Sequence, residues 1–181
     1  QKALEYYEKA LPILQEVGDR FGVAATLSNI GGVYYDINKL QKALEYYEKA
    51  LPISQEVDDR SGVATTLNNI AEVYRGIGRP QKALEYYEKA LPISQEVDDR
   101  SGVATTLNNI GEVYYDINKP QKALEYYEKA LPILQEVGDR FGVAATLSNI
   151  GGVYYDINKL QKALEYYEKA LPISQEVDDR S

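Results

Sequence analysis

The chain has 181 residues, 44 % of them apolar and 27 % charged, with 20 basic against 28 acidic side chains and a formal net charge of −8. That balance repels phosphate backbones and anionic lipid, so neither nucleic acid nor a membrane is an expected partner, and no apolar run is long enough to span a bilayer. Cysteine and histidine are both absent, which removes disulfides, thiolate and imidazole chemistry and the usual zinc and copper ligands.

The stretch QKALEYYEKALP opens at Gln1 and again at Gln41, Gln81, Gln121 and Gln161, a period of 40 residues. A strict period of that length means a solenoid, propeller or array whose units bury their apolar faces only against neighbours. One repeat array over 1–181 is therefore expected, with a partial motif at its end. Residues 1–61 are identical to 121–181, which adds a larger unit of 120 residues. With no Met and nothing resembling a signal peptide, the sequence reads as a segment of a longer protein. The missing cysteines fit a reducing, cytoplasmic compartment.

Within each copy, Ala43, Tyr47, Ala50, position 54 and Val57 recur at spacings of 4, 3, 4 and 3, with Leu44 and Leu51 on the flank. That is one face of an amphipathic helix, here termed B. Glu45 and Lys49 stand in the favourable order on the outer side, worth about 0.2–0.5 kcal/mol. Pro12, Pro52, Pro92, Pro132 and Pro172 fall inside it. An interior proline removes the bond to the carbonyl four residues back and costs ~3 kcal/mol. Either the helix stops and restarts, or it continues with a kink. The apolar spacing keeps its phase across Pro52, which favours a continuous, bent helix.

The B helix closes in Val-Gly-Asp-Arg (17–20) or Val-Asp-Asp-Arg (57–60). Gly18 or Asp58 suits the left-handed exit, and Asp19 or Asp59 suits the cap of the next helix. This second, A-type helix is predicted from about Phe21 to Ile37 and from about Ser61 to Ile77. Val63, Leu67, Ile70, Ala71, Tyr74 and Ile77 share its apolar face, with Thr65, Asn68, Glu72 and Arg75 opposite. Pro80 and Pro120 sit where a B helix can begin without losing a bond. The predicted order is B-A-B-A-B-A-B-A-B, with neither terminal B helix capped by polar sequence. Leu14 and Phe21 switch together to Ser54 and Ser61, which implies a contact across the B-to-A turn.

These residues resemble the tetratricopeptide repeat, W-x2-L-G-x2-Y followed by A-x3-F and a late Pro in about 34 residues. Leu67 stands in the Trp place, followed by Ile70, Ala71 (Gly31, Gly111 and Gly151 in other copies) and Tyr74. Ala83, Tyr87 and Ala90 follow on the B helix. The period is longer than usual and the proline is interior, as in the longer-period arrays of bacteria and cyanobacteria. The resemblance implies an all-α, right-handed solenoid of stacked antiparallel helix pairs, with A helices on the concave face.

It also implies a non-catalytic interaction module that presents this face to a peptide or protein partner. The candidate residues are Ser28, Asn29, Tyr35 and Asp36 on the first A helix and Asn68, Asn69, Glu72 and Arg75 on the second. Asn108, Asn109, Glu112, Tyr115 and Asp116 follow on the third, and Asn149, Tyr155 and Asp156 on the last. Amides can bond an extended backbone and tyrosines offer flat amphipathic contacts. The alternative is that these are merely solvated surface residues.

The second of each tyrosine pair, such as Tyr7, is expected to fill space between helices. Asp36 and Asn38 fall short of a calcium loop, which needs a central Gly and a distal Glu, and no base is paired with a nucleophile. No cofactor, metal or catalytic residue is therefore assigned. A second functional reading is an architectural spacer that self-associates through its uncapped terminal B helices.

In some members of the family a Lys, Asn and Arg clamp holds a partner's terminal carboxylate. Asn29, Asn69, Asn109 and Asn149 match its Asn, but Ala25, Thr65, Thr105 and Ala145 stand in the Lys places. The predicted outcome is no binding of an acidic C-terminal peptide; micromolar affinity in titration calorimetry would overturn it.

Overall fold

The computed structural model describes residues 2–178; Gln1 and 179–181 lie outside them. Among the described residues the helices run α1 Lys2–Glu16, α2 Arg20–Asp36, α3 Leu40–Glu56, α4 Arg60–Gly76, α5 Pro80–Glu96, α6 Arg100–Asp116, α7 Pro120–Glu136, α8 Arg140–Asp156 and α9 Leu160–Asp178. Odd helices are of B type and even ones of A type, so the alternation read from the period holds, and the fold class is all-α.

The turns follow from local chemistry. Asp58 adopts φ 55° and Gly18 φ 73°. Beyond α3, the Asp59 N–H donates to the Ser54 carbonyl at 2.9 Å and the Asp58 N–H to that of Gln55 at 3.3 Å. These are the two bonds that close a helix through a left-handed residue. Asp59 then caps α4 by accepting from the Gly62 N–H at 2.9 Å, and Asp19, Asp99 and Asp139 repeat the arrangement. Glycine follows each cap for a steric reason: a Cβ on Gly62 would lie 2.1 Å from the Asp59 carboxylate.

The B helices run unbroken through their prolines. Pro52 and Glu48 are both exposed, so the carbonyl that loses its donor can bond water instead. Pro80 and Pro120 occupy the first turn of their helices, as expected.

The chain forms two compact units, Gln1–Asp98 and Asp99–Ser181. In the first, α2 pairs with α3 and α4 with α5. Ala43 and Ala50 are fully buried between α2 and α3, and Tyr47 is 3 % exposed. Leu11 and Leu14 of α1 pack onto Val23, Leu27 and Ala50; in the same way Leu51 of α3 packs onto Val63, Leu67 and Ala90. In this unit each hairpin thus completes its interior with the B helix that precedes it. In the second unit α6 pairs with α7 and α8 with α9, and Ala123, Tyr127 and Ala130 repeat the buried triad.

Two further features fasten each hairpin. Tyr34 of α2 stacks on Tyr46 of α3 with ring centroids 5.4 Å apart, while Lys42 and Lys49 lie over the two rings. The stack recurs at Tyr74–Tyr86, Tyr114–Tyr126 and Tyr154–Tyr166. At the opposite end, Arg20 pairs with Glu56, and Arg60, Arg100 and Arg140 pair likewise with Glu96, Glu136 and Glu176. These pairs are half exposed and contribute little each. The lysine at the Lys49 position, expected to pair with the glutamate four residues before it, is therefore also a ring partner; Lys129 does both, meeting Glu125 at 2.6 Å.

The leucine and the phenylalanine that switch together differ in burial. Leu134 is buried, but Phe141 is 70 % exposed. The leucine lies against the capping glycine, with Cδ2 2.8 Å from where a Gly142 Cβ would stand. Burial differs along the chain: α1 has no buried residue, and Leu164 is 49 % exposed where Leu44 is 6 %.

Ala83 is fully buried, so Ala83→Leu is expected to overfill the hairpin and cost ~1–3 kcal/mol in urea unfolding. Lys89→Gln, by contrast, loses a cation 4.9 Å above the Tyr86 ring, an exposed contact worth about 0.5–1 kcal/mol. A melt that reversed this order would show the faces wrongly assigned. Ser94 is buried with its hydroxyl unbonded, so Ser94→Ala should raise stability by up to about 1 kcal/mol; a loss would show that the hydroxyl is satisfied.

Candidate functional site: the A-helix groove

In the first unit, α2 and α4 turn their polar faces to a common side. There a cavity of about 380 Å³ is lined by Ser28, Asn29, Tyr35 and Asp36 from α2, by Thr65 and Asn69 from α4, and by Tyr7 and Tyr47 from the flanking B helices. Five candidate residues from the sequence thus converge on one space. Asn29 and Asp36 are exposed and can reach a ligand without moving the backbone.

Polar rungs tie the two A helices together. Ser28 Oγ lies 3.1 Å from Thr66 Oγ1, and the Tyr35 hydroxyl donates to Glu72 Oε2 at 3.3 Å. Glu72 also receives the Tyr87 hydroxyl and sits 3.5 Å from the Arg75 guanidinium. Glu72 is thus a structural acceptor before it is a ligand contact. Asn68 donates to the Ala64 carbonyl of its own helix at 3.2 Å. Burial, then the Glu72 carboxylate, pushes the Tyr35 hydroxyl up from its ordinary value. Burial, with smaller contributions from Asp36 and Tyr35, pushes Tyr47 up to about 12.

The second unit repeats the plan with other partners. Thr146 Oγ1 donates to Asn108 Oδ1 at 3.1 Å, and the Tyr115 hydroxyl donates to Asp156. That bond, then burial, raises Tyr115. Asn109, Glu112 and Asn149 are half-buried and Asp116 is exposed. Tyr155 is 60 % exposed, a flat apolar surface open to a ligand.

Sequence reasoning missed the second tyrosine of each pair as a groove residue. Tyr47 is buried as expected, yet its hydroxyl end reaches the cavity. The signal was present: positions 31–32 read Gly-Gly where 71–72 read Ala-Glu and 111–112 read Gly-Glu. Buried Thr66, Thr106 and Thr146 were missed too, because threonine reads as polar and outward. Among the described residues, no group of three or more His, Cys, Asp or Glu is arranged to hold a metal, and no helix is long and apolar enough to cross a membrane.

Capped helical hairpins, each completed by its neighbour and turning a polar A face outward, define a helical-repeat scaffold. The tetratricopeptide-repeat family model matches residues 1–56, 62–136 and 133–176, and the chain belongs to that family. It is similar to BtubC (BKLC) from P. vanneervenii, at 30 % identity and a TM-score of 0.87, over 98 % of this chain and 74 % of that one. It also resembles a Rap protein complexed with competence and sporulation factor, at 22 % identity and a TM-score of 0.87, over 98 % of this chain and 50 % of that one. A third likeness is the Rap conjugation gene regulator of plasmid pLS20 in complex with the Phr* peptide, at 21 % and 0.82, over 97 % of this chain and 49 % of that one. The chain thus spans about half the length of these Rap proteins. No curated protein sequence matches it.

Glu72→Ala removes the bond that Glu72 accepts from the fully buried Tyr87 and is expected to cost ~1–3 kcal/mol, whereas Glu72→Gln, which keeps an acceptor oxygen, should cost less. Equal losses in urea unfolding would show that the charge, not the bond, matters. Because the folded Tyr47 pKa, about 12, lies above its ordinary value of 10.0, its contribution is intact below pH 10 and is lost as pH rises toward 12. Denaturation midpoints that stay flat between those pH values would contradict this assignment.

Proposed function

We propose that the chain is a non-catalytic interaction module whose A-helix groove binds an extended segment of a peptide or protein partner. The observation that carries this reading is the cavity between α2 and α4, where amides, hydroxyls and aromatic rings converge from several helices. Such a lining offers both donors and acceptors to a backbone, with rings for alternate side chains. The two Rap structures, each described as a complex with a factor or peptide, support the reading by analogy. In the second unit Asn109, Tyr115, Asn149, Tyr155 and Asp156 would serve the same role.

A second reading is the self-associating spacer, whose motive is the identity of residues 1–61 with 121–181. Light scattering over a concentration series separates the two: a strict monomer removes self-association.

Selection of displayed random peptides on the intact chain is expected to yield binders whose affinity drops about tenfold or more in an Asn29→Ala, Asn69→Ala double variant, since each lost bond is worth about 0.5–1.5 kcal/mol. Its melting temperature should not change. Binders indifferent to both substitutions would overturn the groove as the site.

A further inference from the structure

The motifs are nearly copies, so the place where one lacks a side chain that another carries is informative. In the middle motifs, position 72 or 112 is Glu; in the outer ones, position 32 or 152 is Gly. At Glu72 the carboxylate accepts from Tyr87, which is fully buried. The counterpart of Tyr87 in the preceding motif is Tyr47, 3 % exposed and beside Gly32. A Cβ built on Gly32 would lie 3.7 Å from the Tyr47 hydroxyl oxygen, with nothing else within 4 Å. Among the described residues that hydroxyl has no hydrogen-bond partner. The cavity is thus the room that a glutamate side chain occupies one motif later, with its donor still in place.

We propose that this notch is a side-chain pocket of the groove and that it takes the carboxamide of a glutamine from the bound peptide. The inference rests on the groove reading and specifies one of its subsites. The occupant follows from the chemistry of the wall. Tyr47 is a donor and requires an acceptor, as Tyr87 finds in Glu72. Asp36 lines the same cavity, and the lining contains no Lys or Arg. An incoming carboxylate would therefore meet a like charge, whereas an amide offers its oxygen to Tyr47 and its N–H groups to Asp36. Glutamine also matches glutamate in length and shape. A lysine ammonium would satisfy Asp36 but leave Tyr47 without an acceptor.

The probes are propionamide, propionate, n-propylammonium and N-methylacetamide, titrated into the intact chain by ligand-observed NMR. Propionamide, the glutamine side-chain analogue, is expected to bind saturably. The two charged probes and N-methylacetamide, which stands for a backbone amide, should bind about tenfold more weakly, each losing one hydrogen bond or meeting Asp36. Gly32→Glu recreates the Gly111-Glu112 pair of this same chain, so it is expected to fold and to fill the notch. It should abolish propionamide binding, whereas Gly152→Glu should preserve it and Tyr47→Phe should weaken it about tenfold.

Propionate or n-propylammonium binding as tightly as propionamide, binding that survives Gly32→Glu, or no saturable binding of any probe would overturn the pocket. Selected peptides that lose affinity on groove substitution but ignore Gly32→Glu would overturn it too, while leaving the groove intact. Fragment binding without any groove-dependent peptide would leave the amide pocket standing but overturn the groove, and with it a bound peptide as the source of the amide.

Discussion

Everything in this fold depends on how closely an A helix can lie against the B helix that follows it. At Gly31 a Cβ would stand 2.7 Å from the Tyr47 ring, and at Gly111 2.6 Å from Tyr127. Those rings are laid almost on the opposing backbone. Fully buried alanines at 43, 50, 83 and 90 keep the rest of the contact thin. Close packing of small residues against a large flat one leaves few alternative registers, because a one-residue slip would drive a side chain into the ring. The equivalent position is Ala71 in the second motif, so one methyl group is accommodated there.

Once that contact is set, the polar ends follow. The ring lies across the small residue, so its hydroxyl emerges on the A-helix face. There it needs an acceptor, which Glu72 provides and Gly32 does not. A core tyrosine therefore shapes the groove chemistry, and the distinction between packing residue and site residue dissolves at Tyr47 and Tyr87. The groove's stiffness has the same origin. Ser28 with Thr66, Tyr35 with Glu72, and Thr146 with Asn108 bridge successive A helices within their units. A preorganised surface of this kind loses less ordering entropy when a ligand arrives.

Much of the fold was legible because the strongest signals are local or periodic. The 40-residue interval, the Asp caps, the left-handed exits at Gly18 and Asp58 and the tolerated prolines each depend on a few neighbouring residues. The groove was legible only in outline. Helical periodicity places Asn29, Asp36 and Asn69 on one face, but it cannot show that Asn68 bonds its own helix or that Glu72 is held by tyrosines of α2 and α5. The first is a choice of rotamer within one helix, and the second joins residues 15 and 37 apart in the chain. The joint switch of Leu14 and Phe21 has the same limit: it marks residues that flank one turn, and only the leucine of the second copy, Leu134, is buried.

For a ligand bound along the groove, as proposed, near-identical motifs would pose a difficulty of register. If every rung were the same, an extended ligand could slide by one motif at almost no cost in free energy, and no register would be preferred. The buried positions are indeed almost invariant between copies, since Ala43, Tyr47 and Ala50 recur unchanged as Ala83, Tyr87 and Ala90. Variation falls on the turns and on a few packed places, such as Gly18 against Asp58 and Leu14 against Ser54, and also on the polar side of the A helices: Ser28 against Asn68, Gly32 against Glu72, Tyr35 against Arg75 and Asp36 against Gly76. Within the first unit each of those changes alters charge, hydrogen-bonding capacity or free volume at an equivalent point of successive rungs. A shifted ligand would exchange an open notch for a filled one and a tyrosine for an arginine, so the scaffold stays uniform while the face it presents does not.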